Sequence, residues 1–386
     1  MKRRDFLNLG GCAATAALAS GIPGLSLAAG TKMPVLILIE LNGGNDSHNT
    51  VLDLNQLSVY KQLRPQLGLA QDERVNLDKN FALHRSLAGF KDPWKSGELA
   101  LVHGLGYPQA NKSHFRSIEI WDMASAHDEY LTAGWLANVL PKISKSEIDA
   151  LIFGRNGSAF AGGATSHIQL DNLQSYFKKV KGVKGQQQRA ANSALQHLLG
   201  LNQTIVDSKA LLMRGLAKEV KLKTEFPKNP FGRQMADIAK VICMDLQIPA
   251  FKIALGSFDT HKSQKGKHQQ LLKQLADGML ALRAELIASG HWNDVLMMTY
   301  SEFGRRAAQN GSGGSDHGTA ASHFLLGGRV RGGHFGAYPS LSELVDRDVM
   351  YSTDFRAVYQ SVVRQWWGQP QFSLSSGLDD LKLIHV

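Results

Sequence analysis

"PVLILIELNGGNDSHN", residues 34–49, sets an apolar run against a loop dense in Gly, Asn, Asp and His. A run of this length without polar alternation reads as a strand buried on both faces, the pattern of a parallel sheet covered by helices. Five further stretches repeat it: "LALVHGLG" (99–106), "DALIFG" (149–154), "FKIALGS" (251–257), "DVLMMTY" (294–300) and "HFLLGG" (323–328). Helical periodicities lie between them, at 113–126, 229–246 and 268–289, and another follows at 355–368. Strand alternating with helix predicts an α/β fold, a three-layer sandwich around a mostly parallel central sheet. Residues 185–225 break the alternation; they read as two consecutive helices with no strand between, a helical insertion on the sheet domain.

Open parallel sheets gather ligands at the carboxyl ends of their strands. The chemistry-bearing loops here all follow predicted strands. Asp46 and His48 follow the first; Asn111, Ser113 and His114 follow 99–106. Asp259 and His261 follow 251–257, and Glu302, Asp316 and His317 follow 294–300, with His323 at the start of the next run. Carboxylates and imidazoles converging on one rim form the donor set of a divalent metal site, so Asp259, His261, Glu302 and His317 are expected in one shell. Each element alone has a plainer reading. Asp-x-His is commonly a turn, Glu302 can pair with Arg305, His323 can be a core histidine and Ser113 a helix cap. Ser113 also has a sharper one. A hydroxyl at a helix N-terminus, near a metal, is a nucleophile for phosphorus or sulfur, with Asn111 a donor to a substrate oxygen.

The first 29 residues read as a twin-arginine export signal: Arg3 and Arg4 precede a weakly apolar stretch that ends in small residues. Gly21 and Pro23 interrupt that stretch, so a cleaved signal is expected rather than a membrane anchor, with a periplasmic or secreted product and the twin-arginine translocase as transient partner. Residues 30–386 then form the α/β domain, with Cys243 its one cysteine and no intramolecular disulfide. The chain's 43% hydrophobic content supports one large core. The formal charge of +10 falls to about +8 without the signal and favours an anionic partner. No nucleic-acid reader motif accompanies it, and the basic run at 177–189 lacks interleaved aromatics; an anionic ester substrate and an anionic envelope surface fit the charge equally well.

Taken in order, "ELNGGNDSHNTV", "GLGYPQANKSHF", "FDTHKSQ", "SEFGRR" and "SDHGTAASHFLLGG" resemble the bacterial twin-arginine-exported family catalogued as domain of unknown function 1501. That family is similar to the alkaline phosphatase and sulfatase superfamily. The resemblance implies an alkaline-phosphatase-like sandwich, one or two divalent ions (Zn, Mn, Ca or Mg) and a serine or threonine nucleophile. By position it implies Asp46 as a ligand, Ser113 as nucleophile with Asn111 and His114 beside it, Asp259 with His261 (or His268) as ligands, and His317, with Asp316 and His323 as substitutes. Glu302 stands for the usual aspartate, but Phe303 occupies the place of a histidine. A second metal must then use Asp316 or His114, or be missing. No Cys/Ser-x-Pro-x-Arg signature surrounds Ser113, which argues against a formylglycine sulfatase. The expected activity is metal-dependent hydrolysis of phosphate or sulfate esters, and the alternative is a non-catalytic exported protein that binds an anion or metal.

Overall fold

The computed structural model describes residues 32–185 and 191–386; the export signal at 1–29 lies outside them. The strands of the main sheet are β1 (Val35–Leu41), β2 (Leu99–Gly106), β3 (Ala150–Phe153), β4 (His167–Leu170), β5 (Ala250–Leu255), β6 (Val295–Tyr300), β7 (Ala321–Gly327), β8 (Gly333–Phe335) and β9 (Thr353–Asp354). They assemble in the order β8-β2-β7-β6-β1-β5-β3-β4, with β9 also on β2. β1 sits centrally and pairs in parallel with β5 and β6. One strand is reversed. β7 runs antiparallel to both neighbours, β2 and β6.

Among the described residues, the six helices of eight residues or more are α1 (His114–Met123), α2 (Leu173–Val180), α3 (Ser193–Leu216), α4 (Pro230–Cys243), α5 (Gln264–Ala288) and α6 (Phe355–Trp366). Alternate residues of β1 feed opposite cores, as the period-2 geometry of a strand requires. Val35, Ile37, Ile39 and Leu41 pack with α4 and α5, whereas Leu36 and Leu38 pack with α1 and α6. The result is a three-layer α/β sandwich with a mostly parallel sheet, as the unbroken apolar runs predict. Each fully buried Val, Leu or Ile contributes roughly 1.5–3 kcal/mol, so the two cores carry the fold without a disulfide.

Two expectations change in detail. Only one helix, α3, forms within the described part of 185–225, and it runs through Gly200, whose cost of about 1 kcal/mol does not break a 24-residue helix. The run expected at 323–328 starts two residues earlier, which moves His323 from the edge of the strand into its interior.

Candidate metal centre at the strand rim

β1, β2, β5 and β6 all point their carboxyl ends to one rim, and reversed β7 starts there. The loop 301–320 therefore leaves and re-enters the sheet at the same rim, which returns Asp316 and His317 to Asp259. Asp259 is the hub. Its Oδ1 lies 3.0 Å from His261 Nε2 and 3.2 Å from His317 Nε2, and its Oδ2 lies 3.6 Å from His114 Nε2. His261 Nε2 and His317 Nε2 are 3.0 Å apart.

The far nitrogen of each imidazole meets an acceptor. His114 Nδ1 donates to Glu302 Oε1 (2.7 Å), His261 Nδ1 to Asp316 Oδ1 (3.1 Å) and His317 Nδ1 to the Lys112 carbonyl (2.9 Å). A carboxylate or carbonyl accepts only, so in the neutral rings the proton sits on Nδ1 and the Nε2 lone pairs face Asp259. Lone pairs gathered against a carboxylate repel one another unless a cation lies between them. This is how metal-binding histidines are oriented by acceptors behind them. The spacing fits as well: donors at roughly 2.0–2.1 Å from one tetrahedral ion are about 3.3–3.4 Å from each other. His114, Asp259 and His317 place one ligand atom each within 4.8 Å of one another.

Electrostatics follow the same plan. Burial opposes ionisation of Asp259, but the Arg305 guanidinium, hydrogen-bonded to its Oδ1, holds its pKa down at about 2. The hydrogen bond to Glu302 raises His114, and burial lowers His317. Asp316 is lowered, first by the Asn310 amide.

Other expected residues go elsewhere. Asp46 is fully buried, and its Oδ2 lies 2.5 Å from Arg64 Nη1 and accepts from Gln264. His268 is buried too, donating from Nε2 to Asn45 Oδ1 at 2.9 Å. His323 lies inside the sheet, Nδ1 3.4 Å from Thr299 Oγ1, with burial holding its pKa at about 3. Glu302 and Asp316 stand behind His114 and His261 rather than beside Asp259. Phe303 is buried under the cluster, its ring centroid 4.4 Å from that of His317 and 4.9 Å from that of His114.

Ser113 is exposed at the N-terminus of α1, directly before His114, and its side chain makes no cap hydrogen bond. Asn111 Oδ1 accepts from Ser113 N at 2.8 Å, which leaves the amide nitrogen as its free donor group. Gly43 has φ +115°, and a Cβ there would lie 2.3 Å from Asp259 N, so only glycine lets the β1 loop close onto the β5 loop.

Arg305 and Lys252 are buried cations whose roles the sequence reading did not assign. Arg305, expected as a partner for Glu302, instead donates to the carbonyls of Gly44 (2.8 Å), Ser315 (2.8 Å) and Phe258 (3.1 Å) and to Asp259 Oδ1 (2.7 Å). It ties three loops to the hub. Lys252 lies 3.1 Å from Glu40 Oε2 and 3.2 Å from Asp122 Oδ2, anchoring α1 to β1 and β5. The signal for Lys252 was a charge inside the apolar run "FKIAL".

Residues 213–362 match the model of a family described as "Protein of unknown function (DUF1501)". The similarity covers 150 of the 386 residues. The resemblance read from the motifs thus holds over α4 to α6. The matched stretch supplies Asp259, His261, Glu302, Asp316 and His317, while Ser113 and His114 come from the chain before it.

No curated protein matches the chain. Among solved structures, the PsFucS1 sulfatase from Pseudoalteromonas sp. is 11% identical with a TM-score of 0.41, over 91% of this chain and 71% of that one. The C-terminal periplasmic domain of EcEptC from Escherichia coli, in complex with Zn, is 11% identical with a TM-score of 0.37, over 77% and 73%. The lipoteichoic acid synthase LtaP from Listeria monocytogenes is 11% identical with a TM-score of 0.35, over 84% and 75%. No helix among the described residues is long and apolar enough to cross a membrane.

Proposed function

We propose that the rim site holds one divalent metal through His114, His261, His317 and Asp259, and that the protein hydrolyses an anionic phosphate or sulfate ester. One observation carries this reading: three imidazoles, each with an acceptor behind Nδ1, turn Nε2 toward a single carboxylate. Three nitrogens and one oxygen suit a zinc-class ion. Such an ion supplies Lewis-acid chemistry, polarising the ester oxygens and lowering the pKa of a hydroxyl beside it. Ser113 Oγ gives up its proton and attacks phosphorus or sulfur, the bond to the alcohol oxygen breaks, and that oxygen takes up a proton as the alcohol leaves. Water then cleaves the seryl ester, restoring serine and releasing the inorganic anion. The positive end of α1 favours the anion throughout. Arg64 already neutralises Asp46, so the reading assigns one metal rather than two.

Metal analysis of the purified protein, joined to a screen of phosphate monoesters, phosphate diesters and sulfate esters, tests the proposal. About one equivalent of metal and turnover of at least one ester class are expected. Metal without turnover would hand the site to the alternative, a non-catalytic binder, which the packing of Phe303 in a histidine's place favours. Absence of both would end the metal reading.

Export by the twin-arginine route belongs to the same proposal, since a metal site is then filled before the folded chain crosses the membrane. Replacing Arg3 and Arg4 by lysine is expected to leave the protein in the cytoplasm; fractionation that still finds the variant outside would remove the assignment.

A further inference from the structure

α3 is packed along only part of its length. Positions spaced alternately three and four residues apart share one face of a helix, and Leu198, Leu201, Ile205, Ser208 and Leu212 are spaced in that way. Ser208 and Leu212 are buried and Ile205 packs against the core, whereas Leu198 is 60% and Leu201 49% exposed. The apolar face thus runs on for two turns past the part that is covered. Those turns begin at a proper cap, the Asn192 side chain accepting from Leu195 N at 2.8 Å. Lysines border them. Tyr176 of α2 meets Ser208, hydroxyl to hydroxyl at 2.5 Å, and the loop after α2 then follows α3 toward its N-terminus. Lys209 Nζ donates to the carbonyls of Lys181 (3.1 Å) and Val183 (3.3 Å), and a Cβ on Gly185 would lie 3.9 Å from Gln203 Oε1. Gln203 is two residues past Leu201, so this loop brings exposed Lys184 alongside the turn of the open leucines. Residues 172–209 carry six lysines and arginines against one acidic residue, Asp207, a net of +5 out of the chain's +10.

We propose that this end of α3 docks the protein on an anionic phospholipid bilayer, with Leu198 and Leu201 entering the acyl boundary and Lys178, Lys181 and Lys184 lying among the head-group phosphates. Open leucines bordered by lysines are the pattern of a helix that lies in a membrane interface. The charge selects the occupant. Concentrated positive charge attracts anionic lipid, gains little from neutral lipid, and repels the same face of a second copy of this chain. No described helix is long and apolar enough to cross a membrane, so the contact of α3 is peripheral. The docking is independent of the ester chemistry at the rim.

The test is co-sedimentation of the full chain with phosphatidylcholine vesicles and with vesicles of equal parts phosphatidylcholine and phosphatidylglycerol. Wild type is compared with a leucine variant, Leu198→Ser with Leu201→Ser, and a lysine variant, Lys178→Gln with Lys181→Gln and Lys184→Gln. Wild type is expected to bind the anionic vesicles and to be released by salt. A lysine at an anionic surface contributes roughly fivefold, so the lysine variant should lose on the order of a hundredfold in partition coefficient. The leucine variant should lose at least about tenfold. All five side chains are exposed, so the melting temperature should stay within the scatter of wild type. Failure of wild type to bind the anionic vesicles, equal binding to both vesicle types, or binding that survives in both variants overturns the docking; the last of these also covers binding through residues 1–29, which all three proteins share. A concentration-dependent dimer in sedimentation velocity that the leucine variant abolishes assigns the face to a second copy, and overturns it too.

Discussion

Asp46 and Asp259 open the same short pattern, Asp-Ser-His and Asp-Thr-His, each in the loop after a central strand. Their environments are opposite. Asp259 is open at the rim among imidazoles, whereas Asp46 is sealed against Arg64, which, despite burial, holds its carboxyl well below the ordinary range. Removing one partner of a buried ion pair strands the other, at about 3–5 kcal/mol. Asp46→Ala is therefore expected to lower unfolding free energy by that amount and to leave metal content per folded molecule unchanged, measured by denaturant titration and metal analysis. Loss of metal with full stability would move the site to Asp46. Ser113→Ala has the reverse signature. It deletes no cap bond, so stability should move by no more than about 0.5 kcal/mol, metal should stay, and ester turnover should fall by several orders of magnitude. Intact turnover in that variant would exclude Ser113 as nucleophile. Neither difference is legible in the sequence, because Arg64 reaches Asp46 from 18 residues further along the chain, at the end of the short helix Leu57–Leu63, and nothing in the local pattern announces it.

At the scale of elements, α1 delivers Ser113 and His114, and its far end is fastened by Asp122 to Lys252 on β5 and to Tyr300 on β6, whose hydroxyl donates to Asp122 Oδ1 at 2.8 Å. Burial lifts the Asp122 carboxyl above its usual range, while Lys252, working against burial, holds Glu40 below its own. Lys252→Met leaves two buried carboxylates without their cation. A loss of about 3–5 kcal/mol and weaker metal binding through a loosened α1 are expected, and adding Glu40→Gln and Asp122→Asn should restore most of the stability. Denaturant and metal titrations of the single and triple variants measure this coupling, and additive losses would refute it. The ends of the elements were readable from local signals such as the Pro230 start of α4 after Asn229, whose side chain accepts from Gly232 N at 2.8 Å. The anchoring was not, since its charges meet across two layers.

For the whole molecule, acid stability follows from histidines buried in the neutral form. Burial lowers His103 and His323 to about 3 and His268 to about 4. A depressed folded pKa gives stability that is fully present above the unfolded value of roughly 6.5 and is lost as pH falls through the folded one. Each group contributes up to about 1.4 kcal/mol per pH unit inside its window, so the unfolding free energy should drop by several kcal/mol between pH 6.5 and 4.5. A profile flat over that range would show that these histidines are not buried neutral.

The sequence by itself determined the layers and the rim. Unbroken apolar runs and helical periodicities are local patterns, and each dictates which side chains must leave water, so strands, helices and the loops between them follow from neighbours a few residues apart. The tertiary structure alone decided which of two Asp-x-His loops stays open, that β7 runs backwards and returns His317 to Asp259, and that Glu302 and Asp316 stand behind imidazoles instead of beside Asp259. These depend on charges and acceptors supplied from distant positions, such as Arg64 to Asp46 and Arg305 to Asp259, whose proximity exists only after the layers have packed.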